Sequence, residues 1–202
     1  MKIICIGRNY AKHAVEMKAE LPKEPVFFLK PDSAINRFNY MYIPEFTNDL
    51  HHEVELVVKI CKVGKHIDET FAHNYYEEIG LGIDFTARDK QAECKQKGLP
   101  WEIAKAFDNS ALVSKEFISK AELDLANINF SLKKNGECIQ IGQSVNMIFN
   151  INKIITYVSQ FFTLKTGDLI FTGTPEGVGP VNQNDRLTGY IGNKQMFKLD
   201  IK

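Results

Sequence analysis

The most informative stretch of the chain is 51-HHEVELVV-58, in which a single valine separates two glutamates, Glu53 and Glu55. On a helix these carboxylates would point about 200° apart, whereas on a strand they project from one face with Cα atoms about 6.5 to 7 Å apart. A zinc-protease helix would place a second histidine where Leu56 stands, so that motif is absent. Two carboxylates this close repel each other unless a cation lies between them. The alternative is an exposed strand face.

A third carboxylate, Asp84, follows the apolar run 79-IGLGI-83. A charge at the end of a buried strand costs free energy unless it is paired or bound to a metal. Three carboxylates without a cysteine at ligand spacing form a hard oxygen site, which suits Mg²⁺ or Mn²⁺ better than zinc. Calcium would usually need more protein oxygens than these three. The pattern therefore favours a magnesium or manganese site.

Two other groups in the sequence suggest acid–base or electrostatic chemistry. His13 and Glu16 stand three residues apart on a predicted helix and therefore share a face. An imidazole held by a carboxylate is the usual arrangement of a general base that activates water, although such a pair is also common on a solvated helix face. Lys105 lies between apolar neighbours in 101-WEIAKAFD-108, which predicts a partly buried ammonium with an anionic partner.

The composition restricts the class of partner. The chain has 202 residues, of which 44% are hydrophobic, and its 25 basic and 25 acidic residues leave no formal net charge. This balance argues against a nucleic-acid or anionic-membrane partner and favours a small molecule or a second copy of the chain. The four cysteines lack metal or redox spacing, so we expect reduced cysteines in a cytoplasmic protein. The apolar run 3–6 is too short for a signal peptide, and no segment approaches the roughly 18 apolar residues of a membrane helix.

Hydrophobic periodicity and turn residues predict one α+β domain over 1–202. The predicted strands are 2–6, 26–29, a β region within 40–60, 79–85, 130–133, 137–141, 168–172, 185–191 and 195–201. The predicted helices are 9–17 with Asn9 as its cap, 66–78, 88–97 and 147–162. Asn135-Gly136 predicts a tight hairpin, and Gly98 predicts the end of the helix 88–97. The glycine-rich loop 172–180 lacks the spacing of a phosphate-binding loop and is interpreted as a turn.

Six motifs that occur in order over residues 7–180 resemble those of the fumarylacetoacetate hydrolase family. The matching stretches are 7-GRNY-10 with His13 and Glu16, 28-FLKP-31, 52-HEVEL-56, 84-DFTARDKQ-91, 97-KGLPW-101 with Lys105 and Phe107, and 167-GDLIFTGTP-175 with 177-GVG-179. The chain begins almost at the first motif, and it looks most like the short branch of the family that includes acylpyruvases and oxaloacetate decarboxylases.

The resemblance implies mixed β-sheets rolled into a barrel-like fold around a metal site, with peripheral helices and assembly as a homodimer. It also assigns roles to individual residues. The implied ligands of Mg²⁺ or Mn²⁺ are Glu53, Glu55 and Asp84. Lys105 is the implied cationic partner of the substrate, and His13 with Glu16 the implied dyad of a mobile lid within 1–20. Positions that match the lining of the substrate pocket are Arg88, Gln91 and Thr174.

The activity that the resemblance implies is metal-dependent cleavage of a C–C bond in a pyruvate-like 2-oxo acid, through an enolate that the metal stabilises. Acylpyruvate hydrolysis would use His13 to deprotonate water, whereas oxaloacetate decarboxylation needs no water. One alternative is an isomerase or tautomerase of a 2-hydroxyhepta-2,4-diene-1,7-dioate-type substrate or of oxaloacetate. Another is a non-enzymatic carboxylate-binding domain stabilised by a metal. Residues 108–114 lack the proline and glycine that the family often carries there, which leaves the substrate size open.

Overall fold

The computed structural model of the protein describes residues 1–17 and 20–202, and more of these residues lie in β-strands than in helices. The strands are β1 (Ile3–Ile6), β2 (Phe27–Lys30), β3 (Ile35–Asn36), β4 (Tyr40–Met41), β5 (Leu50–His52), β6 (Val54–Ile60), β7 (Tyr76–Asp84), β8 (Thr86–Ala87), β9 (Ala111–Val113), β10 (Ile118–Ser119), β11 (Asn129–Lys134), β12 (Glu137–Gln143), β13 (Leu169–Phe171), β14 (Gly179–Pro180), β15 (Arg186–Ile191) and β16 (Lys194–Ile201). The α-helices are α1 (Ala11–Glu16), α2 (Glu69–Ala72), α3 (Arg88–Lys97), α4 (Glu102–Lys105) and α5 (Ile151–Phe161). Short 3₁₀ turns cover Asp32–Ala34, His73–Tyr75, Lys120–Glu122 and Ser144–Asn146.

The strands form three sheets. The largest has the order β2-β1-β13-β6-β7-β9-β3, with β10 also paired to β7. The second sheet has the order β12-β11-β15-β16-β4, and the third has the order β14-β5-β8. The largest sheet is mixed, since β1 runs parallel to β13 while β6 runs antiparallel to β7. It curls into a half-barrel accompanied by few helices, which confirms the predicted α+β class.

Apolar side chains fill both faces of the largest sheet. Leu56 on β6 and Leu81 on β7 face each other across the strands, and they share a core cluster with Leu187 and Leu199 of the second sheet. Val57 belongs to a second cluster. Strand β6 is buried on both faces from Val54 to Val58. The carboxylate of Glu55, which lies in this part of the strand, is therefore surrounded by protein.

The predicted helix 9–17 is wrong at its start. Asn9 does not cap the helix, because its Nδ2 donates to the carbonyl oxygens of Phe149 and Thr172 and its Oδ1 accepts from the Phe149 N–H. Helix α1 begins two residues later at Ala11. The Asn9 side chain forms long-range hydrogen bonds and therefore does not cap the helix.

Two other predicted helices are shorter than expected. In 66–78 only α2 is α-helical, and a 3₁₀ turn then leads into β7 at Tyr76, which pairs with Ile60. The predicted helix 147–162 begins only at Ile151, because the Asn150 side chain accepts a hydrogen bond from the Lys153 N–H and caps it there. Sheet pairing in the first case and a local cap in the second define the true boundaries.

The turn predictions are confirmed. Asn135 and Gly136, at φ +54° and +93°, connect β11 to β12 in the predicted hairpin. Helix α3 spans the predicted residues and ends at Gly98. Within residues 1–17 and 20–202, no helix is long and apolar enough to cross a membrane.

Candidate active site

The three predicted metal-binding carboxylates meet at one end of the β6–β7 pair. Glu55 lies opposite Gly82, Glu53 immediately precedes β6, and Asp84 ends β7. The Asp84 N–H donates to the Glu53 carbonyl oxygen at 2.8 Å, which holds these two residues side by side. One carboxylate oxygen from each of the three residues lies within 4.8 Å of the others, and all three residues are buried. Glu55 is on a strand as predicted, Glu53 lies between two strands, and the two carboxylates lie close together as expected.

Lys105 and Arg88 donate hydrogen bonds to these carboxylates. Lys105, the last residue of α4, donates from Nζ to Glu53 Oε2 and to Asp84 Oδ2, both at 2.8 Å. It also donates to Thr86 Oγ1 at 2.6 Å. Arg88, the first residue of α3, donates from Nη2 to Glu53 Oε1 at 2.6 Å. The prediction that Lys105 is a buried ammonium with an anionic partner is confirmed.

A third cation, Lys30, received no role from the sequence. Its side chain is 0% exposed, and its Nζ lies 2.7 Å from Asp84 Oδ1. This contact is an ion pair without hydrogen-bond geometry, because the ammonium donates to Ser110 O and Oγ, each at 3.0 Å, and to the Lys105 carbonyl oxygen. A lysine that directly follows the apolar run 26–29 was the available sequence signal.

The pKa values show how charge is distributed in the cluster. Burial, followed by the negative charges of Asp84 and Glu53, raises the pKa of Glu55 well above its usual range. Burial also acts to raise the pKa of Glu53, but Lys105 and Arg88 outweigh it and hold that pKa below its usual range. Burial acts to lower the pKa of Lys105, whereas Asp84 and Glu53 more than reverse this effect. Lys105 is therefore cationic, whereas its surroundings disfavour the ionised form of Glu55.

These residues suit a divalent cation. Glu55 forms no ion pair with any residue in 1–17 or 20–202. The buried Asp84 Oδ1 accepts no hydrogen bond within the same residues. A divalent ion would favour the ionised form of Glu55 and would accept lone pairs from carboxylate oxygens, which Mg²⁺ and Mn²⁺ prefer as ligands.

The loop that follows β13 holds Glu55 in place. The Gly173 N–H donates to Glu55 Oε2 at 2.6 Å. Gly173 has φ +97°, and a Cβ added there would lie 2.6 Å from the Asn9 Cβ, so a side chain at this position would displace the segment that leads to α1. Thr174 serves the same strand, because its Oγ1 donates to the Val54 carbonyl oxygen at 2.9 Å. This loop is thus the predicted turn, and its backbone contacts a carboxylate of the site.

Helix α1 brings the predicted dyad to the site. His13 is buried, and its Nδ1 lies 3.0 Å from Glu16 Oε2. Glu16 Oε1 accepts from the Gly177 N–H at 3.1 Å, so the glycine-rich loop orients the carboxylate that orients the imidazole. Of the predicted lid segment 1–20, residues Ile3–Ile6 belong to the largest sheet, and Lys18 and Ala19 lie outside the described residues. The solvated-face interpretation does not fit His13.

A small cavity is lined by both His13 of the dyad and Glu53 of the carboxylate cluster. Its volume is about 30 Å³, and its lining is Gly7, Arg8, His13, Ala14, Met17, Glu53, Arg88, Gln91, Lys95, Trp101 and Lys105. Of the three predicted pocket residues, Arg88 and Gln91 line it and Thr174 does not. A groove of about 690 Å³ elsewhere on the protein contains none of the predicted site residues. The site is therefore identified by its charged residues and not by the volume of its cavity.

Comparison with known proteins agrees with this geometry. The family model described as "Fumarylacetoacetate (FAA) hydrolase C-terminal" matches residues 2–198. This chain belongs to the fumarylacetoacetate hydrolase family. It is 45% identical over 202 residues to the oxaloacetate tautomerase FAHD1, mitochondrial, of Bos taurus, covering 99% of this chain and 91% of the relative. It is also 45% identical over 190 residues to the oxaloacetate tautomerase YcgM of Escherichia coli K12, covering 93% of this chain and 86% of the relative.

Solved structures of the family have the same fold. A crystal structure of fumarylpyruvate hydrolase from Pseudomonas aeruginosa, in complex with Mn²⁺ and pyruvate, superposes with a TM-score of 0.93. That protein is 35% identical, and the alignment covers 100% of this chain and 89% of that one. The family and its short branch, predicted from six motifs, are confirmed. The relatives named above include tautomerases and a hydrolase, so membership of the family defines a reaction class and leaves more than one reaction within it.

Proposed function

We propose that this protein catalyses the keto–enol tautomerisation of oxaloacetate with the help of a divalent cation, Mg²⁺ or Mn²⁺. The observation that carries the proposal is the buried cluster of three carboxylates, one of which, Glu53, lines a cavity together with Lys105, Arg88 and His13. The identity to proteins named oxaloacetate tautomerases supports the choice of reaction.

The cation would be held by Glu53, Glu55 and Asp84, and when bound it would supply a Lewis acid for the 2-oxo group of the substrate. Lys105 contributes a fixed positive charge at the cavity wall, where it stabilises negative charge that develops on the substrate oxygen. Arg88 Nη1 donates to Gln91 Oε1 at 2.7 Å. The remaining polar group of Gln91 is therefore its amide NH₂, a donor for a substrate oxygen.

Tautomerisation also requires a group that moves a proton at C3. Glu16 is hydrogen-bonded to Nδ1 of His13, which leaves Nε2 as the atom that accepts and returns the proton. The cavity has room for about one water, so a four-carbon diacid enters only if part of the wall moves. We propose that helix α1 moves, because it is short and contributes His13 and Ala14 to the cavity wall. Met17, which directly follows the helix, also lines the cavity.

A second candidate function is the hydrolysis of an acylpyruvate to pyruvate and a carboxylic acid. The His13–Glu16 dyad favours it, because the same imidazole can deprotonate a water that attacks the distal carbonyl. The similarity to the fumarylpyruvate hydrolase structure also supports this candidate. Decarboxylation of oxaloacetate needs no proton acceptor. His13→Ala should therefore abolish tautomerisation and acylpyruvate cleavage while decarboxylation persists.

The test is a panel of three reactions on one preparation of protein: loss of the oxaloacetate enol by ultraviolet absorbance, release of CO₂ from oxaloacetate, and cleavage of acetylpyruvate. We expect enol loss to be the fastest, and Lys105→Met to slow it by about 10²- to 10³-fold. Circular dichroism of the variant should show that it is folded. A fully folded wild-type protein without turnover in any of the three reactions would favour a non-enzymatic carboxylate-binding domain.

The predicted homodimer and cytoplasmic location belong to this proposal as well. Sedimentation velocity of the purified protein tests the first, for which we expect twice the chain mass. Fractionation of the source cells tests the second.

A further inference from the structure

The cavity wall carries more positive than negative charge. It includes four basic residues, Arg8, Arg88, Lys95 and Lys105, and one carboxylate, Glu53. The protein as a whole has equal numbers of acidic and basic residues. The local excess of cations is therefore specific to this cavity and does not reflect a basic surface.

Two of these four cations are already paired and two are not. Arg88 and Lys105 both contact Glu53 at hydrogen-bond distance. Within residues 1–17 and 20–202, neither Arg8 nor Lys95 forms an ion pair with a carboxylate. Lys95 is exposed at the rim, where its Nζ lies 5.6 Å from the centre of the Trp101 ring. These two side chains are available to an anion that enters the cavity.

Their places in the fold put them beyond the carboxylate cluster. Arg88, Gln91 and Lys95 occupy positions i, i+3 and i+7 of α3, so they share one face of the helix and Lys95 lies two turns further along it. Arg8 directly precedes Asn9, whose side chain forms three hydrogen bonds and fixes this part of the chain. Arg88, which contacts Glu53, and Lys95, which lies at the rim, are thus on one helix.

The crowding of like charges has an energetic cost. Partial burial, followed by the positive charges of Arg88, Arg8 and Lys105, lowers the pKa of Lys95. An anionic group placed between Arg8 and Lys95 would remove this repulsion and gain charge-assisted hydrogen bonds.

We propose that Arg8 and Lys95 bind the second carboxylate of a dicarboxylic 2-oxo acid, while the carboxylate cluster and its cation receive the 2-oxo acid end. This assignment rests on the proposed function and deepens it: it limits the preferred substrates to dianions. A monoanion with the same 2-oxo acid end would leave Arg8 and Lys95 without an anionic partner.

The experiment compares oxaloacetate with its 4-methyl ester, which keeps the 2-oxo acid end and removes the second charge. For each substrate, kcat/KM for enolisation is measured with wild-type protein, Arg8→Gln and Lys95→Met. The matched control is Lys97→Met, because Lys97 lies on the same helix, is exposed and pairs with Glu93. We expect the preference for the diacid over the ester to fall about tenfold or more in each of the first two variants. Lys97→Met should keep the wild-type preference.

Equal losses for both substrates in Arg8→Gln and Lys95→Met, or an unaltered preference, would overturn the assignment. Circular dichroism and the melting temperature identify a variant that is merely unfolded, and Lys95→Gln then replaces Lys95→Met. If the wild-type protein turns over neither substrate, the proposed function fails. The assignment is then decided by calorimetric titration of Mn²⁺-loaded protein with the diacid and the ester. Equal affinity for the two ligands would refute it.

Discussion

Replacing Lys30 by methionine should destabilise the protein far more than the loss of an ordinary lysine. The methionine fills most of the same volume but leaves Asp84 Oδ1 without its cation at 2.7 Å. It also leaves the carbonyl oxygens of Ser110 and Lys105 without the ammonium that donates to them. None of these groups can turn to water, because Lys30, Asp84, Lys105 and Ser110 are all buried.

The magnitude follows from this burial. Removal of one partner from a buried ion pair typically costs about 3 to 5 kcal/mol, because the remaining charge stays desolvated. The chain offers a matched control in Lys59, whose Nζ lies 2.8 Å from Glu78 Oε2 with both side chains 45% exposed. Exposed pairs of this kind contribute about 0 to 1 kcal/mol. We therefore expect Lys30→Met to lose at least 2 kcal/mol more unfolding free energy than Lys59→Met.

The assay is urea unfolding in the presence of a chelator, followed by circular dichroism and by the fluorescence of Trp101, the only tryptophan. A double-mutant cycle with Asp84→Asn isolates the pair. The double variant should lose less free energy than the sum of the single variants, with a coupling of about 0.5 to 3 kcal/mol. Equal costs for Lys30→Met and Lys59→Met, or strict additivity in the cycle, would refute the view that Lys30 compensates Asp84.

Three further outcomes are expected from the contacts described above. Gly82→Ala should lower the unfolding free energy by about 1 to 3 kcal/mol in urea titrations, because its Cβ would lie 2.5 Å from the Leu112 carbonyl oxygen; an unchanged midpoint would contradict the tight β7–β9 packing. Burial acts to raise the pKa of Asp168, but hydrogen bonds from Lys2 and other donors hold it below its usual value. The stabilisation is thus present at neutral pH and lost as the pH falls through the folded-state pKa, so the free-energy gap between wild type and Asp168→Asn should shrink between about pH 5 and pH 3. A thiol reagent should modify two cysteines in the native protein and four after unfolding, with the two early sites, by mass spectrometry, at the exposed Cys61 and Cys138.

The parts of the site that depend on local periodicity were predictable from the sequence. The two-residue repeat of a strand placed Glu53 and Glu55 together, and the end of an apolar run identified Asp84. The apolar neighbours of Lys105 indicated a buried ammonium, which the structure bears out. In each case the information lies within a few residues of the position concerned.

The parts that were missed depend on the order of strands in the sheets. Lys30 reaches Asp84 across the largest sheet, and Asn9 binds Phe149 and Thr172 from far along the chain. The length of the helix predicted over 66–78 was wrong for a similar reason, since Tyr76 joins β7 to pair with Ile60. Hydrogen bonds between distant segments decide these features, and no local pattern in a single sequence encodes their partners.

The role of the carboxylate cluster is tested most directly by the rate of oxaloacetate enol loss before and after metal removal. Wild-type protein and Glu55→Gln are treated with a chelator, dialysed and then supplied with Mn²⁺ or Mg²⁺. We expect the chelator to abolish the rate of the wild-type protein and either ion to restore it, while Glu55→Gln remains folded and recovers little. A chelated wild-type protein that keeps its full rate would contradict the assignment of Glu53, Glu55 and Asp84 as the ligands of a catalytic metal.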